Sequence, residues 1–114
     1  MHGGKIMIFI TGGANQGKRE FAMEHFPDKL VMAAYQMTIE KCLEEGKDPM
    51  AQTIAMLQMN PDVVIIMSEM GSGVPPADPF ERKLRDETGR VGCFLAQVAT
   101  EVYRVIAGIG MKIK

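Results

Sequence analysis

The residues whose types and spacing suit chemistry fall in three places. Gly12-Gly13-Ala14-Asn15-Gln16-Gly17-Lys18 fits G-x-x-x-x-G-K, the spacing of a phosphate-binding loop. Glycines let backbone N–H groups curl around a phosphate without side chains in the way, and the Lys18 ammonium can reach the outer phosphates. A helix starting just beyond adds unpaired donors and partial positive charge. Glu69 follows the apolar run 63–67. Its carboxylate suits a metal ion, held directly or through water, or a substrate hydroxyl that needs orienting. Arg85 and Asp86 stand in a charged stretch whose ordinary reading is a solvated ion-pair face.

Arg19 complicates the first site. A working loop has a serine or threonine after the lysine, and that hydroxyl holds the magnesium that bridges the outer phosphates. A guanidinium has five donors and no lone pair for a metal. The expected ligand is a nucleoside triphosphate held by residues 12–19, with Arg19 arguing against magnesium. Two other readings of the loop are weaker. A dinucleotide loop beginning at Thr11-Gly12 would want glycine at position 16, which is Gln16, and the sequence has no matching Tyr-x-x-x-Lys. A purely structural glycine turn would leave Lys18 without a role.

The elements that must position these groups follow from hydrophobic pattern and punctuation. Residues 5–11 form a short apolar run suited to a buried strand. Residues 16–26 read as a helix stopped by Pro27, residues 28–35 as a weak strand, and 37–45 as a helix ending at Gly46. Asp48-Pro49 and Asp78-Pro79 each pair an N-cap with a proline at the first helical position. The first predicts a helix to about residue 60, and the second a long helix with Phe80, Leu84, Val91, Leu95 and Val98 on one stripe. The run 63–67 is β-branched and wholly apolar, a strand covered on both faces. Residues 71–77, with two glycines and two prolines, read as a loop. The run 102–107 completes the strands, with 111–114 as a continuation.

Strands alternating with helices predict an α/β protein. With the loop after the first strand, the expected fold is P-loop NTPase-like (RecA-type), a three-layer sandwich around a small, mostly parallel sheet. The 114 residues favour one nucleotide-binding domain. Hydrophobic residues make up 46%, charged residues 24%, and the net charge is −1. That balance offers no polyanion-binding surface, so nucleic acid is not an expected partner. No run is long enough to span a membrane. Cys42 and Cys93 lack a CxxC partner and read as free thiols of a cytoplasmic protein. His2 and His25 read as surface histidines. Eleven methionines read as flexible gap-fillers in the core.

The C-terminal half resembles the bifunctional adenosylcobinamide kinase/adenosylcobinamide-phosphate guanylyltransferase family of cobalamin biosynthesis. The residues that carry the resemblance are Ser68-Glu69-Met70-Gly71-Ser72-Gly73-Val74-Pro75-Pro76, Leu84-Arg85-Asp86, Gly89-Arg90-Val91-Gly92 and Ala107-Gly108, together with the Thr-Gly-Gly-Ala opening of the loop. The matched pieces cover residues 5–35 and 48–114. The resemblance implies a kinase that phosphorylates the aminopropanol hydroxyl of a cobinamide with ATP or GTP. Lys18 and Glu69 would be its catalytic residues, Arg85 and Asp86 its substrate-binding residues, a corrinoid its second ligand, and a homo-oligomer its assembly.

Departures from the family are equally specific. Its members carry a histidine that becomes guanylylated, in a segment between the second strand and the helix before the Glu69 strand. The interval 36–47 is too short for that segment and has no histidine. Ser68 and Gly92 replace family asparagines, and Arg19 the loop hydroxyl. The chain therefore reads as a shortened member that lacks guanylyl transfer. Two readings stay open, a reduced kinase and a nucleotide-binding remnant without turnover. A structural module that needs only the fold is a third.

Overall fold

The computed structural model describes residues 5–69 and 78–114. The expected loop at 71–77 thus lies outside the described residues. Among them the chain runs β1 (Ile8–Gly12), α1 (Lys18–His25), β2 (Val31–Met32), α2 (Tyr35–Glu44), α3 (Pro49–Met59), β3 (Val64–Ser68), α4 (Pro79–Val98), β4 (Glu101–Ile106) and β5 (Ile109–Lys112). The sheet order is β2-β3-β1-β4-β5. β1 pairs in parallel with β3 and β4, β2 in parallel with β3, and β5 antiparallel with β4.

A central parallel strand must be covered on both faces, and β1 shows how its sequence arranges that. Ile8 and Ile10 point to one side, where they join Val64, Ile66 and Val105 under Phe21 and Ala22 of α1. Phe9 points to the other, where Ile65 and Met67 meet Tyr35 and Ile39 of α2 and Val91 and Leu95 of α4. Met50, Met56 and Leu57 of α3 pack against the rim of that second cluster. Helices therefore lie on both sides of the sheet, one against three, and β1 and β3 end at the same edge.

Local chemistry agrees with the helix starts. Asp48 Oδ1 accepts from the Met50 N–H at 3.2 Å, and Asp78 Oδ1 from the Phe80 N–H at 3.3 Å, each followed by its proline. Between α2 and α3 the buried Tyr35 hydroxyl donates to Thr53 Oγ1 at 2.7 Å, and that hydroxyl donates to the Pro49 carbonyl at 2.8 Å. The pair is satisfied, so two polar groups join the helices without a desolvation cost left over.

The structure corrects several expectations. The strand expected at 28–35 shrinks to two residues, because Ala34 takes φ 54° and Tyr35 already opens α2. The first helix begins at Lys18 instead of residue 16, because Gly17 adopts φ 87° as its N-cap. The expected continuation at 111–114 is the return strand of a hairpin, turned by Ala107 (φ 50°) and Gly108 (φ 79°). Two successive left-handed residues suit the tight turn that matches strand twist. Within α4, Val98 is 47% exposed and leaves the expected stripe, while Thr88 is buried between Leu84 and Val91. The described methionines divide: Met7 and Met67 are buried in the core and Met32, Met50 and Met56 pack against it, while Met23, Met37, Met59 and Met111 are exposed.

Two glycines make opposite predictions. A Cβ on Gly110 would stand 2.1 Å from the Phe21 ring, whereas a Cβ on Gly89, within α4, meets nothing within 4 Å. Gly110→Ala should destabilise the protein by about 1–3 kcal/mol through overpacking. Gly89→Ala should stabilise it by about 0.5–1 kcal/mol by relieving helix-interior glycine entropy. Urea denaturation of both variants checks the pair, and equal signs would refute the packing described.

Candidate functional site

The loop between β1 and α1 is held from below by β4 and from the side by the β4–β5 turn. Gly12 has φ 147°, and a Cβ there would lie 2.5 Å from the Val105 carbonyl oxygen, so only glycine lets the two backbones approach this closely. Gln16 then fastens the loop to the turn. Its backbone carbonyl accepts the Gly108 N–H at 2.8 Å, and its side-chain Oε1 accepts the Ala107 N–H at 2.7 Å. Asn15 (φ 59°) and Gly17 (φ 87°) complete the curl.

Lys18 is the first residue of α1 and only 7% exposed. Its Nζ donates to the Gly13 carbonyl at 2.5 Å, so the side chain arches back over the loop it follows. Desolvation pulls its pKa below the ordinary lysine value, and the Glu69 carboxylate opposes that pull. Arg19 is exposed. Residues 15–19, with Gln36 and Ser68, line an open cavity of about 540 Å³. Gln36 Oε1 accepts the Ser68 N–H at 3.0 Å, which ties α2 to the end of β3 beside this cavity.

Glu69 stands where β3 leaves the sheet, its N–H donating to the Gly12 carbonyl at 2.9 Å. Its carboxylate accepts two hydrogen bonds from Arg104, from Nε at 2.9 Å and Nη2 at 3.1 Å. Arg104 lies on β4 in register with Thr11. A second cavity of about 380 Å³ opens on the α4 side of Ser68 and Glu69. Phe9, Met67 and Ala96 supply its apolar walls, and Arg85 and Thr88 its polar groups. The buried Thr88 Oγ1 has no hydrogen-bond partner among the described residues.

The structure thus brings the loop 12–18, Lys18, Arg19 and Glu69 to one edge of the sheet, where α/β proteins place their ligands. Arg85 lines the neighbouring cavity, whereas Asp86 does not: it lies on the charged outer surface of α4 beside Arg82 and Arg90. His25 is exposed and stacked on Phe21, away from the site, with its ring Nδ1 donating to the Phe21 carbonyl. Sequence reasoning missed Gln36, Thr88 and Arg104. For Arg104 a signal existed, a lone charge inside the otherwise apolar run 102–107. Among the described residues no cluster of three or more His, Cys, Asp or Glu is placed to hold a metal ion, and no helix is long and apolar enough to cross a membrane.

Fold and site together define a mixed α/β protein with a five-stranded, mostly parallel sheet and a glycine-rich loop, crossed by the Lys18 side chain, at the edge where β1 and β3 end. Residues 28–113 match the family described as cobinamide kinase / cobinamide phosphate guanyltransferase. The chain is 34% identical over 109 residues to the bifunctional adenosylcobalamin biosynthesis protein CobU of Salmonella typhimurium (strain LT2), a match covering 95% of this chain and 51% of that protein. It is 46% identical over 52 residues to the protein of the same name from Escherichia coli (strain K12), covering 46% of this chain and 29% of that one. The chain belongs to the cobinamide kinase / cobinamide phosphate guanyltransferase family. It spans about half the length, or less, of the curated relatives it matches.

The Lys18 environment has a testable sign. Because folding lowers this pKa, the folded chain releases the proton at lower pH than the unfolded chain. Stability should therefore rise with pH from the depressed value up to the ordinary lysine value of 10.5, through this group alone. Glu69→Gln removes the opposing carboxylate and should lower the Lys18 pKa further. Titration of the Lys18 ammonium by NMR reads the effect directly, and a rise in the variant would refute the electrostatic account.

Proposed function

We propose that this chain is a nucleotide-binding, cobinamide kinase-like protein of cobalamin biosynthesis, built on a P-loop NTPase-like (RecA-type) frame. Residues 12–19 hold the phosphates of ATP or GTP, with Lys18 turning from the Gly13 carbonyl to the outer phosphates. The observation that carries this reading is the loop itself: Gln16 braces it against the β4–β5 turn, and the Lys18 ammonium arches over it beside a cavity of about 540 Å³. The cavity lined by Arg85 and Thr88 takes the second substrate, a hydroxyl-bearing corrinoid. Asp86, on the outer surface of α4, serves there only if a bulky ligand overhangs that helix.

Guanylyl transfer is not part of the proposed activity. The interval where the family resemblance expects a guanylylated histidine holds α2, whose Tyr35, Ile39 and Cys42 are buried in the core, and no histidine. Two free cysteines accord with a cytoplasmic setting. Exposed Ile109, Met111 and Ile113 at the β5 edge accord with a homo-oligomer.

A second reading, binding without turnover, is favoured by the engagement of Glu69 with Arg104, which occupies both oxygens of the acid at the end of β3. Calorimetric titration of ATP and GTP separates the possibilities. Lys18→Ala should weaken binding by about tenfold to a hundredfold, the worth of a charge-assisted hydrogen bond. Conversion of cobinamide to its phosphate by the wild-type protein supports the kinase, and binding without product supports the second reading. Binding that Lys18→Ala leaves unchanged would overturn both.

A further inference from the structure

Magnesium is the metal that a phosphate loop implies, and the residues of this chain do not fit it. Such a site draws on a hydroxyl after the loop lysine and on an acid at the end of a neighbouring strand. Here the first position is Arg19, which has no lone pair to offer. The second is Glu69, both of whose carboxylate oxygens accept hydrogen bonds from the Arg104 guanidinium. Guanidinium groups stand at both places where a cation would be held.

The pairing with Arg104 is fixed from both sides by backbone. Glu69 is held to the end of β1 by its N–H···O=C bond to Gly12. Arg104 is held by β4, where the parallel register sets it beside Thr11, one residue before that same glycine. A two-bond fork between guanidinium and carboxylate is the most specific geometry available to these groups. The Arg104 side chain is 48% exposed and that of Glu69 36%, and ion pairs so open to water contribute little to fold stability. The consequence of the pair is local: it occupies and neutralises the carboxylate a cation would need.

We infer that the Arg104–Glu69 pair, with Arg19, takes the place of the divalent cation, so that this loop binds nucleotide phosphates without dependence on magnesium. The inference rests on the loop reading above and adds the reason its metal linkage is lost. Arg104 is a specificity-determining residue that acts through Glu69, deciding whether a metal–nucleotide complex or the bare nucleotide is preferred.

The test is calorimetric titration of ATP in excess EDTA and in excess magnesium, on the wild-type chain, Arg104→Leu, Arg104→Gln and the double variant Arg104→Leu/Arg19→Ser. Thermal melts identify which variants fold, and the two Arg104 substitutions serve as alternates. The wild-type dissociation constants should agree within about twofold between the two conditions, and the Arg104 variants should bind at least about fivefold more tightly with magnesium. The double variant should show a larger ratio still. A wild-type ratio of about tenfold or more, or Arg104 variants whose ratio equals that of the wild type, would overturn the inference while leaving the loop reading intact. Wild-type protein that binds no ATP in either condition overturns the loop reading and this inference together.

Discussion

The site depends on a backbone contact before it depends on any side chain. Gly12 ends β1 so close to β4 that a single added carbon would meet the Val105 carbonyl oxygen at 2.5 Å. That closeness lets the next residues turn over the sheet edge and reach the β4–β5 turn. Gln16 bridges the gap with its own carbonyl and its side-chain oxygen. A glycine-rich loop with no such bracing would lose much more conformational entropy when a ligand ordered it. Here the strand pairing and the hairpin have already fixed the curl, so a ligand bound there would find the loop already ordered.

Charge at this edge is arranged against the chain's overall balance. The protein carries a net charge of −1, yet Lys18, Arg19 and Arg104 lie around the edge where β1 and β3 end, with Glu69 and Glu20 as the acids beside them. Lys18 is the buried member, held at a depressed pKa by desolvation and stabilised in part by Glu69. Glu69 thus acts on two of these cations, through space on Lys18 and through two hydrogen bonds on Arg104. A phosphate entering the loop would meet a site whose positive charge is already organised and partly dehydrated, the condition under which such interactions are strongest.

Membership of the cobinamide kinase / cobinamide phosphate guanyltransferase family sets what can be compared, and the span of the match sets what cannot be carried over whole. The chain corresponds to about half of the Salmonella protein. Within it, α2 and α3 follow β2 directly and pack into one core with α4 through Ile39, Met50, Met56 and Leu95. The interval that lacks a histidine is therefore filled by helix, and its buried faces complete the second layer of the sandwich. The cavity beside Thr88 lies in that layer, lined by a hydroxyl that has no hydrogen-bond partner among the described residues.

By itself the sequence determined those features that short-range physics controls. The loop spacing, the two Asp-Pro helix starts and the apolar runs 5–11 and 63–67, which form strands 8–12 and 64–68, were legible, because glycine, proline and β-branched residues restrict the backbone wherever they occur. The family followed from the same motifs. Tertiary structure alone decided the rest. The turn at Ala107-Gly108 sent the last strand back antiparallel, which needed a left-handed alanine that no propensity favours. The pairing of Glu69 with Arg104 joins residues 35 positions apart. It exists only because β1 lies between β3 and β4, and strand order is set by how the two cores close, which no local pattern records.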